Sequence, residues 1–185
     1  MQRRLFTGAL LAAPWQIHAK TDALEDRLRA GACAVLLRHA QTDSGIGDPP
    51  GFQLDQCSTQ RNLSDEGRAQ AGRIGQWFEL HGLKPDAVRS SAWCRCRHTA
   101  DLAFGQHAVW PVLNSFFETQ EDTQAAQTTQ LRAALALIQA DKFQVWVTHQ
   151  VNITALTGET VAMGEALVLD ATGQLFARRR FGAAN

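Results

Sequence analysis

Two histidines and two arginines stand where this chain could do chemistry on an anion. His39 follows Leu36-Leu37-Arg38, and His149 follows Trp146-Val147-Thr148, so each closes an apolar, strand-like run. Arg38 comes directly after Ala34-Val35-Leu36-Leu37 and must meet an anion or stay solvated. Arg95 sits in a second block, Ser90-Ser91-Ala92-Trp93-Cys94-Arg95-Cys96. A guanidinium offers a fixed donor fork that matches two phosphoryl oxygens at once. Imidazole titrates near neutrality and can serve as base, acid or nucleophile. A single histidine at a strand end is ordinarily a structural hydrogen bonder. Two of them, each at the end of a strong strand and with arginines to join them, point to a cationic pocket for a phosphoryl group.

The elements that must position these residues can be read from periodicity. Residues 32–37 form a continuous apolar run, as expected for a strand covered on both faces, and 143–148 is a second strong strand run. Shorter strands are expected at 87–90 and 109–113, and a terminal hairpin at 166–170 and 174–181. Helices are expected at 22–30, from Ser64 to Gly82, at 93–104, at 123–140 and at 152–156. Ser64 before Asp65-Glu66 is a capping side chain followed by acids at the positive end of the helix dipole. Leu131, Leu135 and Ile138 form an apolar stripe. Residues 43–60, rich in Gly, Pro, Asp, Gln and Ser, read as a long loop of the kind that often carries function. Strands alternating with helices predict a three-layer α/β/α sandwich with a mainly parallel central sheet. Ligands of such sheets bind at the carboxyl ends of the strands, where both histidines fall.

Four ordered blocks resemble the histidine phosphatase superfamily, in its phosphoglycerate-mutase-like branch. They are Leu37-Arg38-His39-Ala40-x-Thr42, Asn62-Leu63-Ser64-x-x-Gly67-Arg68-x-Gln70-Ala71, Ser90-Ser91-x-x-x-Arg95-Cys96-x-x-Thr99-Ala100, and Val147-Thr148-His149. They span about residues 32–158. Ala40 stands where the signature has Gly, a small change that the turn is expected to accept.

The resemblance implies a phosphoglycerate-mutase-like fold and a role for each matching residue. His39 would be the nucleophile, forming a phosphohistidine that water hydrolyses. Arg38, Arg95 and His149 would hold the phosphoryl oxygens and stabilise the transition state. In one branch a Glu after the second-arginine helix protonates the leaving oxygen, and Glu118 of Phe116-Phe117-Glu118 is the best-placed candidate. The acid-phosphatase branch instead has an Asp directly after its second His, where this chain has Gln150. Arg61, before the second block, is a candidate for the rim of the substrate site. No metal and no cofactor is implied. Among small exported relatives, a lipopolysaccharide core heptose phosphate phosphatase offers the nearest picture, so an envelope sugar phosphate is the expected substrate. A protein-phosphohistidine phosphatase and a catalytically silent phosphate- or glycan-binding module are the alternatives.

Composition bounds these readings. The chain has 185 residues, with 18 Lys+Arg against 18 Asp+Glu. That balance argues against a nucleic-acid partner, which calls for a strongly basic surface. Residues 1–19 carry Arg3-Arg4, a short apolar stretch and Ala19, and read as a secretory signal peptide. The stretch is too short for a stable membrane anchor; an amphipathic first helix is the alternative. Residues 20–185 then form a single exported, periplasmic domain, with nothing in the sequence to set its oligomeric state. Of four cysteines, Cys33 beside an apolar strand is expected to be buried, and Cys57 to bridge either Cys94 or Cys96. Cys94-x-Cys96 alone is too sparse for zinc.

Overall fold

The computed structural model describes residues 23–117 and 121–181. Six strands form one sheet: β1 (Cys33–Arg38), β2 (Ala87–Ser90), β3 (Ala108–Val109), β4 (Phe143–Thr148), β5 (Glu165–Asp170) and β6 (Leu175–Arg180). Their order is β3-β2-β4-β1-β5-β6. The first four in that order run parallel, and β5 and β6 complete the sheet antiparallel.

Strand alternation sorts the side chains into two cores. Cys33, Val35 and Leu37 of β1, with Val145 and Val147 of β4, pack against Leu24 and Leu28 of α1 (Ala23–Ala30). The same core takes in Ile74 and Phe78 of α2 (Asp65–Leu80), and Cys96 and Ala100 of α3 (Cys94–Phe104). Ala34, Leu36 and Trp146 face the other way, onto Leu131 and Leu135 of α4 (Glu121–Ala136) and Ile153 and Leu156 of α5 (Gln150–Thr157). One face of the sheet therefore holds three helices and the other two, the expected α/β/α layering. Among the described residues no helix is long and apolar enough to cross a membrane.

Local sequence explains the boundaries. Ser64 caps α2 by accepting from the Gly67 amide at 3.1 Å. Gly67 also sets how close α2 can come to the turn after β1. A Cβ there would lie 1.8 Å from the Gln41 carbonyl oxygen, so only glycine permits the approach.

Two expectations are corrected. The strand expected at 109–113 stops at Val109, because Pro111 lacks an N–H for the ladder and opens a 3-10 turn over Pro111–Leu113. The helix expected to reach residue 140 ends at Ala136, where Leu137 and Ile138 switch to bonds three residues back. Leu131, Leu135 and Ile138 are all buried as the stripe requires. Residues 1–19, with the expected signal peptide, lie outside the described residues.

Candidate active site

Register alone brings the two histidines together. Arg38 pairs with Thr148 as the last rung between parallel β1 and β4, and the His39 amide donates to the Thr148 carbonyl at 3.0 Å. His39 and His149 are thus the first residues beyond neighbouring strand ends, with ring centroids 5.6 Å apart. Ala40 adopts no left-handed conformation, which is why the turn accepts it in place of glycine. Its amide donates to Thr99 Oγ1 of α3 at 3.0 Å, tying the turn to the second-arginine helix.

The His39 ring is held in one tautomer. Nδ1 lies 2.8 Å from the Ala40 carbonyl, which can only accept, so Nδ1 carries the proton and Nε2 keeps its lone pair. Burial, followed by the field of Arg95 and then of Arg38 and Arg61, lowers the His39 pKa to about 3. The Ala40 hydrogen bond opposes that shift and is outweighed. At neutral pH the ring is an uncharged base. His149 is lowered well below its ordinary value by burial, Arg95 and His39. Its Nε2 is 2.8 Å from Ser91 Oγ, a hydroxyl at the end of β2.

Three arginines close the site. Arg38 donates through Nη1 to the Val161 carbonyl at 2.7 Å and to Gln150 Oε1 at 3.3 Å. Arg61 donates to Thr42 Oγ1 and the Gly45 carbonyl, both at 2.9 Å. Arg95 donates to both oxygens of Asp48, at 2.8 and 3.1 Å. The Asp48 carboxylate also accepts from the Arg61 amide and from Trp93 Nε1, both at 3.0 Å. Burial pushes Asp48 up, but the hydrogen bond and charge of Arg95 and the bonds from Arg61 and Trp93 hold its pKa below the usual value. Burial and mutual repulsion lower Arg38 and Arg61 in turn.

Each of the three arginines keeps a buried Nε–H with no partner. Arg73 and Arg97 elsewhere also carry such atoms, so the signal is the convergence of three around one cleft, not the orphan donor itself. With both histidines neutral, three guanidinium groups against one carboxylate leave two positive charges in excess. That matches a phosphomonoester dianion. Arg38, His39, Arg61, Arg95 and His149 all line a single cavity of about 430 Å³. Among the described residues no group of three His, Cys, Asp or Glu is arranged to hold a metal ion.

The sequence-based candidates Arg38, His39, Arg95 and His149 are therefore brought together, and Arg61 lies inside the cleft. Glu118 lies outside the described residues. Asp48, Ser91 and Trp93 were not among the candidates. Asp48 sits in Gly47-Asp48-Pro49-Pro50, which reads as turn chemistry, and its partners come from residues 13 to 47 positions away. The cysteine alternatives resolve to Cys57–Cys94, which clamps the 43–60 loop onto the start of α3. Cys33 and Cys96 are free and buried. Burial pushes the Cys96 thiol up to about 12, so it is unreactive beneath His149.

Residues 34–162 match the sequence profile of the histidine phosphatase superfamily, branch 1. The chain belongs to that superfamily. It is a histidine phosphatase by family, and the residue blocks that suggested it lie within the matched span. A search of curated proteins finds no match. Solved structures share the fold at low identity. One, from Agrobacterium tumefaciens and provisionally assigned as the phosphohistidine phosphatase SixA, is 22% identical with a TM-score of 0.54, covering 80% of this chain and 97% of its own. Another, the protein histidine phosphatase SixA complexed with tungstate, is 14% identical with a TM-score of 0.52, covering 80% and 96%. A third, from Escherichia coli K-12, is provisionally assigned as an alpha-ribazole-5'-P phosphatase; it is 21% identical with a TM-score of 0.57, covering 81% and 96%. At these identities the likeness establishes the fold.

Proposed function

We propose that this histidine phosphatase is an exported phosphomonoester hydrolase that works through a phosphohistidine on His39. The observation that carries the reading is the His39 ring: neutral, fixed by Ala40 with its Nε2 lone pair free, and set in a cleft of three arginines with unpartnered Nε–H donors.

The substrate phosphoryl group docks on Arg38, Arg61 and Arg95. His39 Nε2 attacks phosphorus in line, the N–P bond forms, and the P–O bond to the leaving alcohol breaks. A proton must reach that oxygen, and Glu118 is the donor suggested by the family resemblance. Water then attacks the phosphohistidine, its proton passes to the same carboxylate, and inorganic phosphate and neutral His39 are released. Phosphoryl transfer of this kind asks the protein mainly for positioning and electrostatics. His149 donates to a phosphoryl oxygen through Nδ1–H when Ser91 donates into Nε2, which the 2.8 Å contact permits.

Export rests on residues 1–19 and is supported by the Cys57–Cys94 bridge, since disulfides persist in oxidising compartments. That location keeps an envelope sugar phosphate among the candidate substrates.

The test is hydrolysis of an aryl phosphate by the chain lacking residues 1–19, alongside His39→Ala. Turnover is expected only in the unmutated protein. Phosphate binding without hydrolysis by either protein would instead favour a binding module. Replacing Glu118 by Gln is expected to slow alkyl phosphates far more than aryl phosphates, because only the poorer leaving group needs the proton. Equal slowing would remove Glu118 from that role.

A further inference from the structure

Besides its arginines and histidines, the cleft is lined by Ile46, Phe52, Trp93, Phe117 and Met163, with the Trp93 ring 5.9 Å from the Arg95 guanidinium. Ile46 is 92% exposed and Phe117 63% exposed, so large apolar side chains stand open at the mouth of an otherwise cationic pocket. They line the same cavity as the arginines, so a ligand whose phosphate sits on the guanidinium groups would meet them with the rest of its structure.

Aromatic walls would also stack a sugar ring, so hydrogen bonding decides between the two. A sugar site needs side-chain donors and acceptors free to meet hydroxyl groups, and among the described residues most of those in the cleft are engaged within the protein. Gln150 accepts from the Val161 amide and from Arg38, and gives its amide protons to Thr154 Oγ1 and the Glu159 carbonyl. Asp48 is surrounded by Arg95, Trp93 and the Arg61 amide. Trp93 has given its only side-chain N–H to Asp48 and presents nothing but ring to the cleft, 5.8 Å from the Phe52 centroid. Ser115, whose oxygen accepts weakly from the Phe117 amide, keeps a hydroxyl proton to offer. Ser115 apart, the described side chains of the cleft offer a hydroxyl-rich leaving group little in exchange for its water bonds, at a cost per unreplaced bond comparable to a lost hydrogen bond.

From these contacts we infer that the preferred substrate carries its phosphate on an aromatic, hydroxyl-poor alcohol, with the ring held between Phe52, Trp93 and Ile46. The inference rests on the phosphatase reading of the same cleft and narrows it from any phosphomonoester to one class. Ring burial against aromatic and aliphatic neighbours favours such a ligand, and the arginines supply the same phosphate binding to every substrate.

Benzyl phosphate and glucose 6-phosphate both release a primary alcohol, so leaving-group chemistry is nearly matched between them. The expected kcat/KM for benzyl phosphate is roughly tenfold or more above that for glucose 6-phosphate, the scale expected from burying one ring. Calorimetry with benzylphosphonate and methylphosphonate, which cannot turn over, isolates the ring from catalysis. Benzylphosphonate is expected to bind about tenfold tighter, and Phe52→Ala or Ile46→Ser to erase most of that ratio with methylphosphonate affinity nearly unchanged. Equal affinity for the two phosphonates, a ratio unmoved in both folded variants, or a preference for glucose 6-phosphate would overturn the inference. Normal phosphonate binding without turnover of any ester would sink only the catalytic reading. If neither phosphonate nor inorganic phosphate binds the folded protein, the anion site and the inference fall together.

Discussion

Asp48 holds Arg95 through both carboxylate oxygens, with the two side chains only 6% and 5% exposed. A loop residue thereby orients an arginine of α3 and cancels part of its charge in the cleft where phosphate is to bind. Removing one partner of a buried pair leaves an uncompensated charge, at a cost of about 3 kcal/mol or more. Asp48→Asn is expected to lose stability on that scale at neutral pH. The carboxylate also repels a phosphate dianion, so inorganic phosphate should inhibit the variant roughly three- to tenfold more tightly, as lost repulsion across a partly screened cleft implies. At the same time kcat should fall, because Arg95 loses its second anchor. Weaker phosphate inhibition in a folded variant would show that positioning outweighs repulsion at this residue.

His39 and Asp48 both lose stability on the acid side, in successive pH ranges. The His39 pKa is about 3 when folded, against about 6.5 for an unperturbed imidazole. The unfolded chain binds that proton first, so the contribution of neutral His39 to stability is complete above about pH 6.5 and drains as pH falls towards 3. Asp48, also depressed when folded, adds its own loss only below the ordinary carboxylate range near pH 3.9. Denaturant midpoints measured from pH 8 to 4 should therefore decline for the unmutated protein and decline less for His39→Ala. In the same range kcat/KM should show no acid limb belonging to His39. An inflection near pH 6.5 that disappears in His39→Ala binding titrations would contradict the neutral, buried ring.

The Cys57–Cys94 bridge closes a segment of 37 residues and joins the loop of Asp48 and Arg61 to the helix of Arg95. Chain-entropy arguments put its stabilisation at about 4 kcal/mol for a loop of that size. Reduction, or Cys57→Ser, is expected to lower thermal stability and to raise KM more than it lowers kcat, because the binding arginines shift relative to each other. Equal KM in oxidised and reduced protein would mean that the ion pair alone fixes the loop.

Ser91 Oγ, 2.8 Å from His149 Nε2, is placed to choose the tautomer of that ring. With Ser91→Ala nothing of Ser91 holds Nε2 as the acceptor, and the population with Nδ1–H falls. Loss of one donor aimed at transition-state charge is worth on the order of 100-fold in kcat. A tautomer fault is partial, so a drop of roughly tenfold in kcat is expected, with a stability loss of about 1–3 kcal/mol because the buried Ser91 hydroxyl also bonds Asn114 and the Trp93 amide. Nitrogen chemical shifts of His149 in the two proteins would report the tautomer directly.

Much of this architecture was legible because periodicity and register are local. The unbroken apolar run at 32–37 and the strong strand run at 143–148 announced neighbouring buried strands, and their last residues placed His39 and His149 side by side. Ser64-Asp65-Glu66 marked the start of α2 to the residue. The strand expected through Pro111 failed on a rule the sequence displayed, the missing proline N–H. The Asp48 network was not legible. Its four acceptor contacts join residues from a loop, the N-cap of α3 and α3 itself, and nothing in Gly-Asp-Pro-Pro distinguishes a buried ion pair from a solvated turn. The disulfide was legible only as a choice of two, since Cys94 and Cys96 are close in sequence and diverge once α3 forms, one toward the loop and one under His149.

The central claim is covalent chemistry on His39, and rapid quench tests it most directly. The protein is mixed with a phosphomonoester substrate in excess, stopped in alkali within milliseconds, digested and analysed by mass spectrometry. A phosphoryl group on His39, stable to alkali, lost in acid and absent from His39→Ala, is the predicted result. Turnover with no phosphorylated histidine at any quench time, or the label on His149 instead, would contradict it.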